Sequence, residues 1–189
     1  MKKNEKVLMY LIKNHNEISH IRSLERELKV SAPSISEMIK EWEKEGLVIV
    51  KKVGNTVIPI FSFSEKANLT AKLLFIKEKE DASPYIRRWI TQLNEIKNAD
   101  LILLFGGVLN KEEKANDIDV VFVTSQKNLK ELQKEIESMN KINLKIIHPI
   151  YQSKEDLINN IKKRDKIIIN AIKGIVIKGE EEFLKILKK

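Results

Sequence analysis

Apolar residues recur at helical spacing through residues 6–14, where Val7, Leu8, Leu11 and Ile12 form one stripe. A second short helix is predicted after Ser19, read as its N-cap, with Ile21, Leu24 and Leu28 on the inner face. A third follows Lys29-Val30. Ser31 stands at its N-cap, Pro33 is tolerated in its first turn, and Ile35, Met38, Ile39 and Trp42 face the core until Gly46 stops it. The period then changes. Residues 47–52 and 56–63 are rich in β-formers and are joined through Val53-Gly54-Asn55, a hairpin signal, with Pro59 marking an edge strand. Residues 65–80 predict a connecting helix carrying Leu69, Leu73, Leu74 and Ile76.

Asp81-Ala82-Ser83-Pro84 is a boundary: Ser83 caps and Pro84 opens a helix that buries Ile86, Trp89, Ile90, Leu93 and Ile96. Strands and helices alternate beyond it. Strands are predicted over 101–105, 117–124 and 143–147, with a helix over 126–139 between the last two. The tail reads as helices over 154–161 and 165–171, a strand over 175–178 and a closing helix from Glu180. No internal repeat or low-complexity tract interrupts this order. The pattern divides the chain into residues 1–64, a connecting helix and linker over 65–83, and a second domain over 84–189.

Composition adds exclusions. With 189 residues, 42 % apolar and 33 % charged, the chain has ordinary globular usage and room for one large or two small cores. Its apolar runs, such as 101–105, are too short to cross a bilayer, so no membrane partner is expected. Met1-Lys2-Lys3-Asn4-Glu5 is followed by no apolar stretch of the kind a secretory signal needs. The absence of cysteine excludes a disulfide scaffold, a cysteine–zinc site and a thiol nucleophile, and it suits a reducing, cytoplasmic setting. The formal charge of +8 favours polyanionic partners. That charge is not concentrated at the N-terminal end. Residues 1–65 hold 11 basic and 9 acidic side chains, and the remainder hold 24 and 18. Lysine balanced by glutamate is also simply a solvated surface, so charge alone does not identify a nucleic-acid binder.

Three short helices and a hairpin, with Ile21-Arg22-Ser23-Leu24, Val30-Ser31-Ala32-Pro33-Ser34-Ile35-Ser36 and Trp42-Glu43-Lys44-Glu45-Gly46-Leu47-Val48 in that order, resemble the winged helix-turn-helix regulators. The resemblance implies transcription regulation through double-stranded DNA, with the third helix entering the major groove and the wing reaching phosphates. Ala32, Pro33, Ser34, Ser36 and Lys40 would then face DNA from the helix, and Lys51 and Lys52 from the hairpin. The helix has no arginine for a bidentate guanine contact, and Glu37, Glu41 and Glu43 would be repelled by phosphate. A winged helix used for protein contact or for a homodimer is the competing reading.

The second domain carries the sharper motif. Leu103-Leu104-Phe105-Gly106-Gly107, nine residues, and then Asp117-Ile118-Asp119-Val120-Val121-Phe122 resemble the nucleotidyltransferase superfamily. Two glycines at a strand end let backbone N–H groups approach a triphosphate with no Cβ in the way. Residues two apart on a strand share a face, so Asp117 and Asp119 project together, and paired carboxylates suit Mg²⁺ with nucleotide phosphates. The resemblance implies an α+β chain: a winged helix-turn-helix followed by a nucleotidyltransferase-like α/β domain with a mixed sheet. It further implies a nucleoside triphosphate as substrate or ligand, Gly106 and Gly107 as its phosphate cradle, and Asp117 and Asp119 as catalytic metal ligands.

The chain departs from that family at the third acid. The matching segment reads Ile142-Asn143-Leu144-Lys145-Ile146-Ile147-His148, in which Asn143 brings no charge and Lys145 would repel a cation. Slow transfer, a base from elsewhere, and nucleotide binding without transfer all remain open, as does the alternative of a regulator whose second domain senses nucleotide or forms an interaction surface. Lys111, Lys114, Lys162, Lys163, Arg164 and Lys166 are further phosphate candidates or merely solvated. The histidines His15, His20 and His148 share no metal-site spacing, and neither a serine–histidine–acid triad nor a Walker-type loop is present.

Overall fold

The computed structural model describes residues 1–15 and 17–189. It is an α+β chain that divides into two compact units, Met1–Lys77 and Glu78–Lys189. Among the described residues there are ten α-helices and two sheets, one of them mixed.

The first unit contains α1 (Lys3–Lys13), α2 (Ile21–Leu28), α3 (Ala32–Glu45), β1 (Val48–Val53), β2 (Thr56–Phe61) and most of α4 (Glu65–Glu80). Its three helices and hairpin follow the expected order. The stripes of α1 and α3 bury Val7, Leu8, Leu11, Ile12, Ile35, Ile39 and Trp42, while Met38 stays half-buried at the stripe's margin. The N-cap of α2 is His20 and not Ser19. His20 Nδ1 accepts the Ser23 N–H at 3.2 Å, and Ser23 Oγ accepts the His20 N–H at 2.9 Å, a reciprocal pair that Ser19, one residue earlier, is not placed to make. Gly46 ends α3 at φ +74°, where a residue without a Cβ enters the left-handed region at no steric cost. β1 and β2 pair antiparallel from Val48–Phe61 to Val53–Thr56 across a Gly54-Asn55 turn, and Pro59 sits on a strand with a partner on one side only.

One buried group in this unit makes stability depend on pH. The His15 ring meets Phe63 edge-on at 4.6 Å, and its Nδ1 is buried without a hydrogen-bond partner among the described residues. Burial holds its pKa below the ordinary value of 6.5. The unfolded chain therefore takes up a proton first as the solution is acidified. Stability is fully present above pH 6.5 and is lost as pH falls through and below it. The wild type is expected to lose more thermal stability between pH 7.5 and 5 than His15→Phe; equal losses would show that the imidazole plays no part.

The second unit runs through α5 (Pro84–Asn94), β3 (Leu101–Phe105), α6 (Val108–Lys111), a 3₁₀ turn (Glu112–Lys114), β4 (Ile118–Val123), α7 (Leu129–Ile142), β5 (Ile147–Gln152), α8 (Lys154–Lys162), α9 (Lys166–Ile172), β6 (Ile175–Lys178) and α10 (Glu180–Leu187). Ser83 caps α5 by accepting the Ile86 N–H. The sheet order is β5-β4-β3-β6, with β3 antiparallel to β4 and β6, and β4 parallel to β5. All five residues of β3 are buried, as expected of a central strand covered on both faces. Ile102, Leu104, Val120 and Phe122 share one core with Trp89 and Leu93 of α5 and with Leu132 and Ile136 of α7. The alternate residues Leu101 and Leu103 point to the other face, where α9 and α10 pack on β3.

The third strand differs from expectation. Residues 143–146 are not a strand: α7 continues to Ile142, and Asn143 caps it, its Nδ2 donating to the Met139 carbonyl at 3.0 Å. Ile142, Leu144 and Ile146 imitate the alternation of a strand but are exposed. The strand itself begins at Ile147 and contains Pro149, which it tolerates because β5 is an edge.

Candidate functional site

Sheet register brings the site together. In the antiparallel pair, Phe105 of β3 lies opposite Asp119 of β4, so Gly106 follows directly beside that carboxylate. Gly106 has φ +79°, and a Cβ built on it would overlap Asp119 Oδ2. The backbone turn at the end of β3 and the Asp119 side chain thus occupy adjoining space that only glycine leaves free. Gly107 differs: a Cβ there would meet only the Ala115 Cβ at 3.9 Å, an ordinary contact. The fold itself demands the first glycine and tolerates a methyl group at the second.

In the parallel pair, Asp119 lies opposite His148 of β5, and His148 Nδ1 stands 3.4 Å from Asp119 Oδ1. Asp117, one residue before β4, completes the group. One ligand atom from each of Asp117, Asp119 and His148 lies within 4.8 Å of the other two. The Asp119 side chain is 25 % exposed and that of His148 67 %, so the group opens to solvent from one side. No lysine or arginine forms an ion pair with either aspartate among the described residues, which leaves the carboxylate oxygens available to a cation.

Lys145 does not oppose a cation in the way its sequence position suggests. Its Nζ donates to the carbonyls of Glu113 and Ala115, tying the 3₁₀ turn that leads into Asp117. Asn143, the sequence candidate for the third position, is engaged in the α7 cap. His148 stands beside the two aspartates instead, and histidine spacing along the chain gives no hint of it. The signal lies in the pairing of β4 with β5, which becomes readable only once the strand is known to start at Ile147. Lys111, Lys114, Lys162, Lys163, Arg164 and Lys166 are exposed, and none is ion-paired to Asp117, Asp119 or His148 among the described residues.

The same two strands border a second feature at their other ends. A cleft of about 550 Å³ is lined by Val123, Thr124, Tyr151 and Gln152 together with the acids Asp100, Glu155 and Asp156. It shares no residue with the Asp117–Asp119–His148 group.

In the first unit, Pro33, Lys40, Lys51 and Lys52 are exposed, and Ala32, Ser34 and Ser36 are half-buried at the start of α3. The N-terminus of that helix is already occupied. Glu25 Oε1 accepts the Ala32 N–H at 2.9 Å, whereas the Ser31 side chain makes no capping bond. Glu37 and Glu41 are exposed on α3 as well. The outward face of this helix is therefore mixed in charge, whereas Lys51 and Lys52 are a basic pair on the hairpin.

No protein-family model matches the chain, and no curated protein is similar to it. Among solved structures, the zinc-responsive MarR family member ZitR of Lactococcus lactis is similar at 19 % identity, covering 49 % of this chain and 70 % of that one, with a TM-score of 0.31.

Proposed function

We propose that the chain is a DNA-binding winged-helix protein whose second unit binds a divalent cation with a nucleoside triphosphate and passes a nucleotidyl group to an acceptor hydroxyl. The observation that carries this reading is the contact of Gly106 with Asp119 at the strand end, with Asp117 and His148 closing the group. The sheet supports it, because the glycine strand and the aspartate strand are antiparallel neighbours and the third position is supplied by the strand parallel to the second.

A bound divalent cation neutralises triphosphate charge and stabilises the attacking and leaving oxygens of phosphoryl transfer. The two carboxylates fit Mg²⁺, which prefers oxygen ligands; the imidazole fits it less well. Asp117 and Asp119 would hold the cation, and the bare backbone at Gly106 and Gly107 would admit the phosphates. In the transfer, the acceptor oxygen bonds to the α-phosphorus, the bond from that phosphorus to the β-phosphate's bridging oxygen breaks, pyrophosphate leaves with the electron pair, and the acceptor proton passes to solvent. His148, opposite Asp119, favours a second reading. Without a third carboxylate the domain would bind nucleotide and report it to the winged helix without turnover. Incubation with nucleoside triphosphate labelled at the α-phosphate separates the two: label on a macromolecule supports transfer, and bound label without transfer supports sensing.

For the first unit, the exposed wing lysines support binding to duplex phosphates. Duplex affinity is expected to fall steeply with salt, and Lys51→Ala combined with Lys52→Ala should flatten the log–log slope by about 2. Fluorescence anisotropy at several salt concentrations measures this. A slope unchanged in the double variant would remove the wing from the interface.

A further inference from the structure

We propose that His148 is a metal ligand, and that it makes the Asp117–Asp119–His148 site selective for a borderline first-row cation of the Fe²⁺ to Zn²⁺ series over Mg²⁺. This rests on the reading that the two aspartates hold a cation and does not depend on nucleotidyl transfer.

Three observations point the same way. The donor atoms of Asp117, Asp119 and His148 all lie within 4.8 Å of one another. Ligands at about 2.0–2.2 Å from a common ion are separated by roughly 3–4 Å, so the group closes on a cation with side-chain adjustment alone. The parallel register sets His148 directly opposite Asp119, with 3.4 Å between Nδ1 and Oδ1, so strand pairing and not a loop places its backbone beside the carboxylate. No lysine or arginine pairs with the aspartates among the described residues, and the nearby Lys145 ammonium is spent on the Glu113 and Ala115 carbonyls.

Donor chemistry then decides which cation. Mg²⁺ is small and hard, holds its waters, and is bound through carboxylates and phosphates; an imidazole adds little to it. Neutral imidazole is a good ligand for Fe²⁺, Co²⁺, Ni²⁺ and Zn²⁺, and affinity for nitrogen-containing sites rises from Fe²⁺ through Ni²⁺. Two carboxylates with one imidazole hold three protein positions and leave the others open to water or phosphate oxygens. A carboxylate in place of His148 would make the set all-oxygen and return the preference to Mg²⁺.

The test uses the full-length chain with Co²⁺ and Mg²⁺ alone, without nucleotide. Calorimetry is expected to show Co²⁺ bound at least a hundredfold more tightly than Mg²⁺. The ¹H spectrum of the Co²⁺ form should contain one strongly shifted exchangeable imidazole N–H. His148→Ala should lose that resonance and bind Co²⁺ at least tenfold more weakly, with Mg²⁺ affinity nearly unchanged. His148→Asp should bind Mg²⁺ more tightly than the wild type does. The exposed position of His148 lets both variants fold, which unchanged thermal melting confirms. Unaltered Co²⁺ affinity in His148→Ala, or no cation bound by the wild type, would overturn the proposal. A cation ligated through His148 in a protein that binds no added nucleoside triphosphate would overturn the nucleotidyl reading and leave this one standing. Mg²⁺-supported transfer by the wild type, together with unaltered Co²⁺ affinity in His148→Ala, would do the reverse.

Discussion

Replacing Gly106 with alanine is expected to destabilise the second unit severely and to displace Asp119. Two costs combine. A non-glycine residue at φ +79° is strained by about 1–3 kcal/mol, and the new Cβ would occupy space held by the Asp119 carboxylate. For a unit of this size each kcal/mol lowers the melting temperature by about 4–8 °C, so a fall of ten degrees or more is expected in thermal denaturation. The overlap can be separated from the strain. In the Gly106→Ala/Asp119→Ser double variant the shorter side chain withdraws from the new methyl group, so the two substitutions together should cost less than their sum. Strict additivity would mean that the glycine and the aspartate do not share the space assigned to them. Gly107→Ala is the control. Its Cβ meets only Ala115 at an ordinary distance, so stability should change by less than about 0.5 kcal/mol. A loss of nucleotide affinity in that stable variant would then place the second glycine against the ligand.

The second large effect concerns chemistry. Asp117→Ala combined with Asp119→Ala should abolish transfer of label from nucleoside triphosphate, a loss of about a thousandfold or more. A cation contributes several kcal/mol to stabilising phosphoryl transfer, and each 1.4 kcal/mol is tenfold in rate. Because both side chains are at least partly open to solvent and neither pairs with a basic group among the described residues, the variant should melt at nearly the wild-type temperature. Activity lost together with the fold would say nothing about catalysis, so the melting curve is measured on the same samples. Transfer at the wild-type rate in a folded double variant would place the reaction elsewhere or outside this protein.

Much of this site was legible before any coordinates. Glycine pairs after a buried five-residue strand and acids two apart on the next strand have few structural uses in common, and the antiparallel pairing of those strands brings them together at Phe105 and Asp119. The helix–boundary–helix signal from residue 65 to Pro84 was equally readable because Ser83 and Pro84 act locally. The failures share one cause: tertiary pairing outweighed local pattern. Ile142, Leu144 and Ile146 alternate like a strand, yet they are exposed, and the segment is spent on ending α7. Pro149 lies within a strand that tolerates it because only one of its edges is paired. His148 was hidden for the same reason, since its relation to Asp119 exists only in the register of two strands that are far apart in sequence. At α3, Glu25 reaches across from the preceding helix to cap Ala32, a contact seven residues away that the N-cap rule, which looks one residue back to Ser31, does not cover.

The convergence of these residues on one cation is tested most directly by paramagnetic broadening. Mn²⁺ is added in substoichiometric amounts to isotopically labelled full-length protein with nucleoside triphosphate present. The amide resonances of Gly106, Gly107, Asp119 and His148 should broaden first, and Asp119→Asn should abolish the effect. Broadening centred on Asp100, Glu155 and Asp156 at the opposite ends of β4 and β5, or no broadening at all, would contradict the account.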